Sequence, residues 1–136
     1  MPVPVQRDLF KHRVRQPPPA PEFHLQCLVA DVLARWSMPY WKWTHLPMGE
    51  YRPPVTAARL KRAGVAPGWP DFILISPQAR VHFLELKRRG NTLSEAQREF
   101  AQWCKVHDIA FVWADNFDDA LAALKLWGAV RTVIAA

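Results

Sequence analysis

The stretch that most constrains this chain is Gly64–Lys87, which reads Gly-Val-Ala-Pro-Gly-Trp-Pro-Asp-Phe-Ile-Leu-Ile-Ser-Pro-Gln-Ala-Arg-Val-His-Phe-Leu-Glu-Leu-Lys. A turn rich in glycine and proline runs into Asp71 and an apolar β-type run follows. Ser76–Arg80 then separates it from a second β-type run, so the pattern predicts an antiparallel hairpin. Side chains alternate across a strand, which puts Val81, Phe83, Glu85 and Lys87 on one face and His82, Leu84 and Leu86 on the other. With Ser76–Arg80 as the loop, Ile75 faces Val81, Ile73 faces Phe83 and Asp71 faces Glu85. The two carboxylates meet on one face, while Phe72, Leu74, Leu84 and Leu86 line the face behind.

Opposed positions on antiparallel strands hold their Cβ atoms roughly 5 Å apart, close enough for two carboxylates to repel unless something positive sits between them. A hard divalent cation meets that need, since Mg²⁺ takes oxygen ligands, typically one or two carboxylates with waters and substrate phosphate oxygens. Lys87, one step beyond Glu85 on the same face, adds an ammonium where an attacking water or a phosphate oxygen would sit. These groups are the equipment of metal-assisted phosphodiester hydrolysis. A solvated strand end would also carry Glu-Leu-Lys; the Pro70-Asp71 pair opening the partner strand sets this triplet apart.

Pro70-Asp71 followed by Glu85-Leu86-Lys87 resembles the core of the PD-(D/E)xK nucleases, and the wider context resembles their VRR-NUC branch. The likeness includes Ala58–Val65 leading into Pro67-Gly68-Trp69-Pro70-Asp71, then Leu93-Ser94-Glu95-Ala96-Gln97, and a Glu22…Gln26 pair near the start of the first helix. It covers about Glu22 to Gly128. The resemblance implies a restriction-endonuclease-like, three-layer α/β fold with a short mixed sheet flanked by helices. It also implies a DNA endonuclease that depends on Mg²⁺ or Mn²⁺. In that reading Asp71, Glu85 and the backbone carbonyl of Leu86 hold the ion, Glu22 completes its shell, Lys87 serves the reaction, and Gln97 lies near the catalytic face. Stand-alone relatives of this kind look like structure-selective enzymes, often phage-encoded, acting on branched DNA as homodimers.

The rest of the chain is consistent with one domain, since 136 residues with half of them apolar can build one core rather than two. Eighteen Lys and Arg against twelve Asp and Glu give +6, which favours a polyanionic partner such as nucleic acid. Cys27 and Cys104 lie in helical patterns without metal or disulfide spacing and read as buried thiols. No apolar run approaches the roughly 18 residues of a membrane span, and the N-terminus lacks a secretion signal, so no membrane partner and a cytoplasmic setting are expected; the resemblance implies that the cell is bacterial or phage-infected.

Residues 1–21 read as a basic arm ending in a polyproline spacer, with a hold on phosphates or simple solvation as its two readings. Residues 22–128 form the predicted nuclease-like domain and 129–136 a tail or extra strand. Leu25, Leu28, Val29, Val32, Leu33 and Trp36 make the stripe of a first helix, whose first turn carries Glu22. Tyr40–Leu46 reads as a strand containing His45, taken as a strand residue rather than a base, and Thr56–Ala63 as a short helix. Arg52, Arg59, Lys61 and Arg62, with Arg88 and Arg89 after the Glu-Leu-Lys strand, are the candidate nucleic-acid contacts, although a solvated helix face carries such charges too.

Ser94-Glu95-Ala96-Gln97 is a capping box, so Gln97 has both a structural and a site reading. Ala96, Phe100, Trp103, Cys104 and His107 are the expected buried stripe of that helix. Ile109–Ala114 follows as a strand. Asn116 caps a last helix whose stripe is Leu121, Leu124 and Trp127 and whose stop is Gly128. The element order is αβαββαβα, a three-layer α/β arrangement. The leading expectation is a metal-dependent DNA nuclease. The alternative is a catalytically inactive module of the same fold that binds nucleic acid or a partner.

Overall fold

Ser76–Arg80 closes the hairpin. The Ser76 carbonyl accepts the Ala79 N–H at 2.9 Å, the Ser76 N–H donates to the Arg80 carbonyl at 2.9 Å, and the Ser76 hydroxyl accepts the Arg80 N–H at 3.2 Å. Pro77 suits the second position of such a turn because its ring presets φ, and Ala79 takes the left-handed conformation at φ 61°. Ile75 then pairs with Val81, Leu74 with His82, Ile73 with Phe83 and Phe72 with Leu84, the register read from the sequence.

The structure is a computed structural model and describes residues 21–132. The basic arm up to residue 20 and the last four residues lie outside the described residues. The elements are α1 (Pro21–Trp36), β1 (Lys42–His45), α2 (Pro54–Arg62), β2 (Phe72–Ile75), β3 (Val81–Leu86), α3 (Glu95–Val106), β4 (Ala110–Ala114) and α4 (Phe117–Leu126). β1, β2 and β3 are antiparallel neighbours and β4 joins β3 in parallel, giving a four-stranded sheet in the order β1-β2-β3-β4. A parallel pair needs a crossover, and α3 provides it.

Helices cover both faces of the sheet. On one side Leu25, Val29 and Leu33 of α1 and Ala120 and Leu124 of α4 pack with Phe72, Leu74, Leu84 and Leu86. On the other, Phe100 of α3 meets Phe83 edge-on at 5.0 Å and Phe111 at 6.2 Å. Ala129 and Val130 are buried in the first of these layers. The Ala129 carbonyl accepts the Met38 N–H at 2.8 Å and Val130 bridges to Ser37, which binds the chain after α4 to the end of α1. Among the described residues no helix is long and apolar enough to cross a membrane.

Four local expectations need correction. β1 is shorter than Tyr40–Leu46, because Tyr40 stands at φ 69°, a turn conformation. α2 begins at Pro54 rather than Thr56, proline being well suited to a first helical position. Cys27 is exposed while Cys104 is buried, since Cys27 lies two residues, about 200° around the helix, from the buried Leu25. Trp103 is 50% exposed and stacks on the exposed His107 at 4.6 Å. It sits about 60° around α3 from Phe100, off the row that meets the sheet.

The Pro67-Gly68 turn presses on the first turn of α3. A Cβ at position 68 would lie 2.7 Å from the Ala96 carbonyl oxygen, and Gly68 has φ +87°, so both space and backbone demand glycine. Gly68→Ala is expected to cost about 2 kcal/mol or more, read as a lower urea midpoint with an unchanged slope.

Candidate active site

Asp71 and Glu85 continue the hairpin past its last backbone pair, with side chains taking over from the ladder. The Asp71 N–H donates to Glu85 Oε2 at 3.1 Å, and the Leu86 N–H donates to Asp71 Oδ2 at 2.8 Å. Each acid is aimed by a backbone donor of the opposite strand. Both are buried, Asp71 at 6% and Glu85 at 2% exposure.

Two helices on opposite faces of the sheet reach this strand end with their first turns. On α1, Glu22 and Gln26 continue the row of Val29 and Leu33 beyond the sheet, so they overhang the acids instead of packing on apolar side chains. Gln26 Nε2 donates to Asp71 Oδ1 at 3.3 Å. On α3, Gln97 does what both of its readings required. Its Oε1 accepts the Ser94 N–H at 2.9 Å and the Ser94 hydroxyl accepts the Gln97 N–H at 3.3 Å, completing the capping box, while its Nε2 donates to Glu85 Oε1 at 3.0 Å. The cap therefore fixes which end of the amide faces the acid. Lys87 Nζ lies 3.5 Å from Glu85 Oε1.

Glu22, Asp71 and Glu85 each bring a carboxylate oxygen within 4.8 Å of the other two, and no other such group occurs among the described residues. All three acids hold their protons more tightly than free carboxyls do, with burial the largest cause for each. Burial, then the Asp71 charge, pushes the Glu85 carboxyl up to about 8. Burial raises Asp71 against the opposing Leu86 N–H, and burial followed by the Asp71 charge raises Glu22. Lys87 opposes all three shifts. The cluster must hold protons or a cation, and its all-oxygen donors fit a hard divalent ion such as Mg²⁺ or Mn²⁺.

The trio opens into a cleft of 540 Å³ lined by Arg52 and Lys61 as well as by Glu22, Asp71, Glu85, Lys87 and Gln97. The Arg52 guanidinium is held by the Pro47 carbonyl at 2.6 Å. Arg59 and Arg62 do not line this cleft, since they occupy the opposite side of α2 from Ala57, Leu60 and Lys61. Arg88 and Arg89 are exposed just beyond Lys87. His45 contacts the Phe72 ring at 5.2 Å and its buried Nδ1 has no hydrogen-bond partner, the geometry of a strand residue beside the site. A larger cleft of 770 Å³ lies at the far end of β3, edged by Arg80, Lys105, His107 and Asp108, away from the acids. Gln26 bears directly on the site; its signals in the sequence were the one-turn spacing from Glu22 and the Glu22…Gln26 pair in the family resemblance.

The shift at Glu85 sets the sign of a pH effect. Between its ordinary value and about 8 the folded, metal-free protein keeps a proton that the unfolded chain has released, so stability falls as pH rises through this window. Thermal melting in chelator is expected to show Tm dropping from pH 5 to pH 8.5, with Glu85→Gln flattening the slope; an unchanged slope in that variant would assign the effect elsewhere.

A sequence model of the VRR-NUC domain matches residues 31–116. No curated protein sequence matches the chain. Among solved structures, a VRR_NUC domain protein superimposes with TM-score 0.60 at 24% identity, over 82% of this chain and 90% of the other. A second, described as a VRR_NUC domain, gives 0.56 at 14% identity, over 78% of this chain and 96% of the other. These likenesses establish the restriction-endonuclease-like fold. Since the matched span takes in more than half of the chain and runs through Asp71, Glu85, Lys87 and Gln97, the protein belongs to the VRR-NUC family, which implies a nuclease-type function.

Proposed function

We propose that this protein is a divalent-metal-dependent endonuclease that hydrolyses DNA phosphodiester bonds, with branched or junction DNA as its preferred substrate. The observation that carries the reading is the meeting of Glu22, Asp71 and Glu85 oxygens within 4.8 Å beside Lys87. Asp71 and Glu85, with the Leu86 carbonyl and Glu22, would hold Mg²⁺ or Mn²⁺. Such an ion, when bound, neutralises phosphate charge and makes hydroxide available near neutral pH.

The chain's own groups do the rest. Gln26 and the Leu86 N–H hold Asp71 in place, and Gln97 and the Asp71 N–H hold Glu85, so both acids are aimed before substrate arrives. Lys87 presents an ammonium that orients water or offsets negative charge developing on the phosphate. Arg52 and Lys61, which line the same cleft, suit flanking phosphates, which position the strand without reading its sequence. The preference for branched DNA follows from the resemblance to stand-alone relatives.

The test is incubation with plasmid, single-stranded and four-way-branched DNA in Mg²⁺, Mn²⁺ or chelator. Asp71→Ala is expected to abolish cleavage and the rise in Tm that metal produces. Lys87→Ala is expected to keep the metal-induced rise while lowering kcat by roughly 10²–10³-fold. Parental cutting rates in either variant would overturn the assignment.

A further inference from the structure

The cleft above the acids has a mixed lining. Beside the polar Glu22, Asp71, Glu85, Lys87 and Gln97 it is lined by the apolar side chains of Met48, Leu60, Val65, Pro67 and Trp69. A phosphate backbone has no use for such an apolar wall, whereas the flat face of a nucleobase does. We infer that the cleft seats one unpaired nucleotide, its base stacked against Trp69 and its phosphate over the Glu22, Asp71 and Glu85 trio. The choice of a nucleotide rests on the phosphodiester-cleaving reading above.

Trp69 is built as a fixed platform. Its ring stands nearly perpendicular to Phe83 at 5.9 Å and tilted by 56° against Phe100 at 5.0 Å, yet 40% of the residue stays exposed. The backbone is pinned on both sides, by Gly68 wedged against Ala96 and by the fully buried Pro70. An aromatic ring held this way loses little freedom when a base stacks on it. The cleft's 540 Å³ falls in the range of small-ligand pockets. A paired base has both faces covered by its neighbours, so only a base that has left the stack reaches the ring. Strands with unpaired nucleotides, as at flaps and branch points, would thereby be chosen over continuous duplex.

The test separates base from phosphate. Fluorescence anisotropy in Ca²⁺ compares a single-stranded oligonucleotide of about 15 residues with an abasic strand of equal length and charge, and with the matched duplex. The parent is expected to prefer the base-bearing single strand over the abasic strand by about tenfold or more, Trp69→Phe to keep most of that preference, and Trp69→Leu to reduce it to about threefold or less with abasic affinity unchanged. Should Trp69→Leu fail to fold, Leu60→Gln, on a helix with no buried residue, tests the same wall and is expected to lower the preference. Equal parental affinity for the abasic strand, or a preference surviving in Trp69→Leu, would overturn the inference. No cleavage in any metal with the base preference intact would remove the nuclease reading and leave the nucleotide pocket standing; cleavage without a base preference would do the reverse.

Discussion

The structure turns on a reciprocal exchange at the open end of one hairpin, where each of two buried acids accepts a backbone N–H from the other strand. Strand ends normally leave such donors to water. Here the donors are used to keep two like charges together, which is unfavourable unless protons or a cation join them. Burying both acids is the arrangement's cost in stability, and the apolar layers on either side of the sheet support it. A fold that needed only to be stable would have placed apolar or singly charged residues at 71 and 85.

The helpers around the acids are mostly neutral. Gln26 and Gln97 give direction without adding positive charge, and among the described residues Lys87 is the cation within ion-pair distance of the trio. An arginine in either glutamine position would satisfy the same oxygens while cancelling the field that attracts a metal ion. The amides therefore leave most of the negative potential available, an arrangement suited to holding a cation rather than to making a closed ion pair.

How much of this was legible in the sequence depended on the range of the interaction. The facing of Asp71 and Glu85 followed from loop length and strand parity, and the capping box followed from four consecutive residues, because local backbone geometry decides both. The Gln26–Asp71 contact spans 45 residues and depends on how far α1 overhangs the sheet, which no local pattern encodes. The basic residues divided for a similar reason: Lys61 lines the cleft and Arg59 and Arg62 do not, according to how α2 is rotated, and a helix with no buried stripe gives no sign of its facing. Trp103 and Cys27 stand exposed where their residue types suggest burial, because an apolar residue type does not say which row of a helix meets the sheet.

α2 contributes no side chain to the core, although it stands over the cleft. Replacing residues in a packed element disturbs its neighbours, but this segment has few neighbours to disturb. Its composition can drift while the scaffold beneath stays intact, so grip on the substrate and durability of the fold can evolve along separate lines.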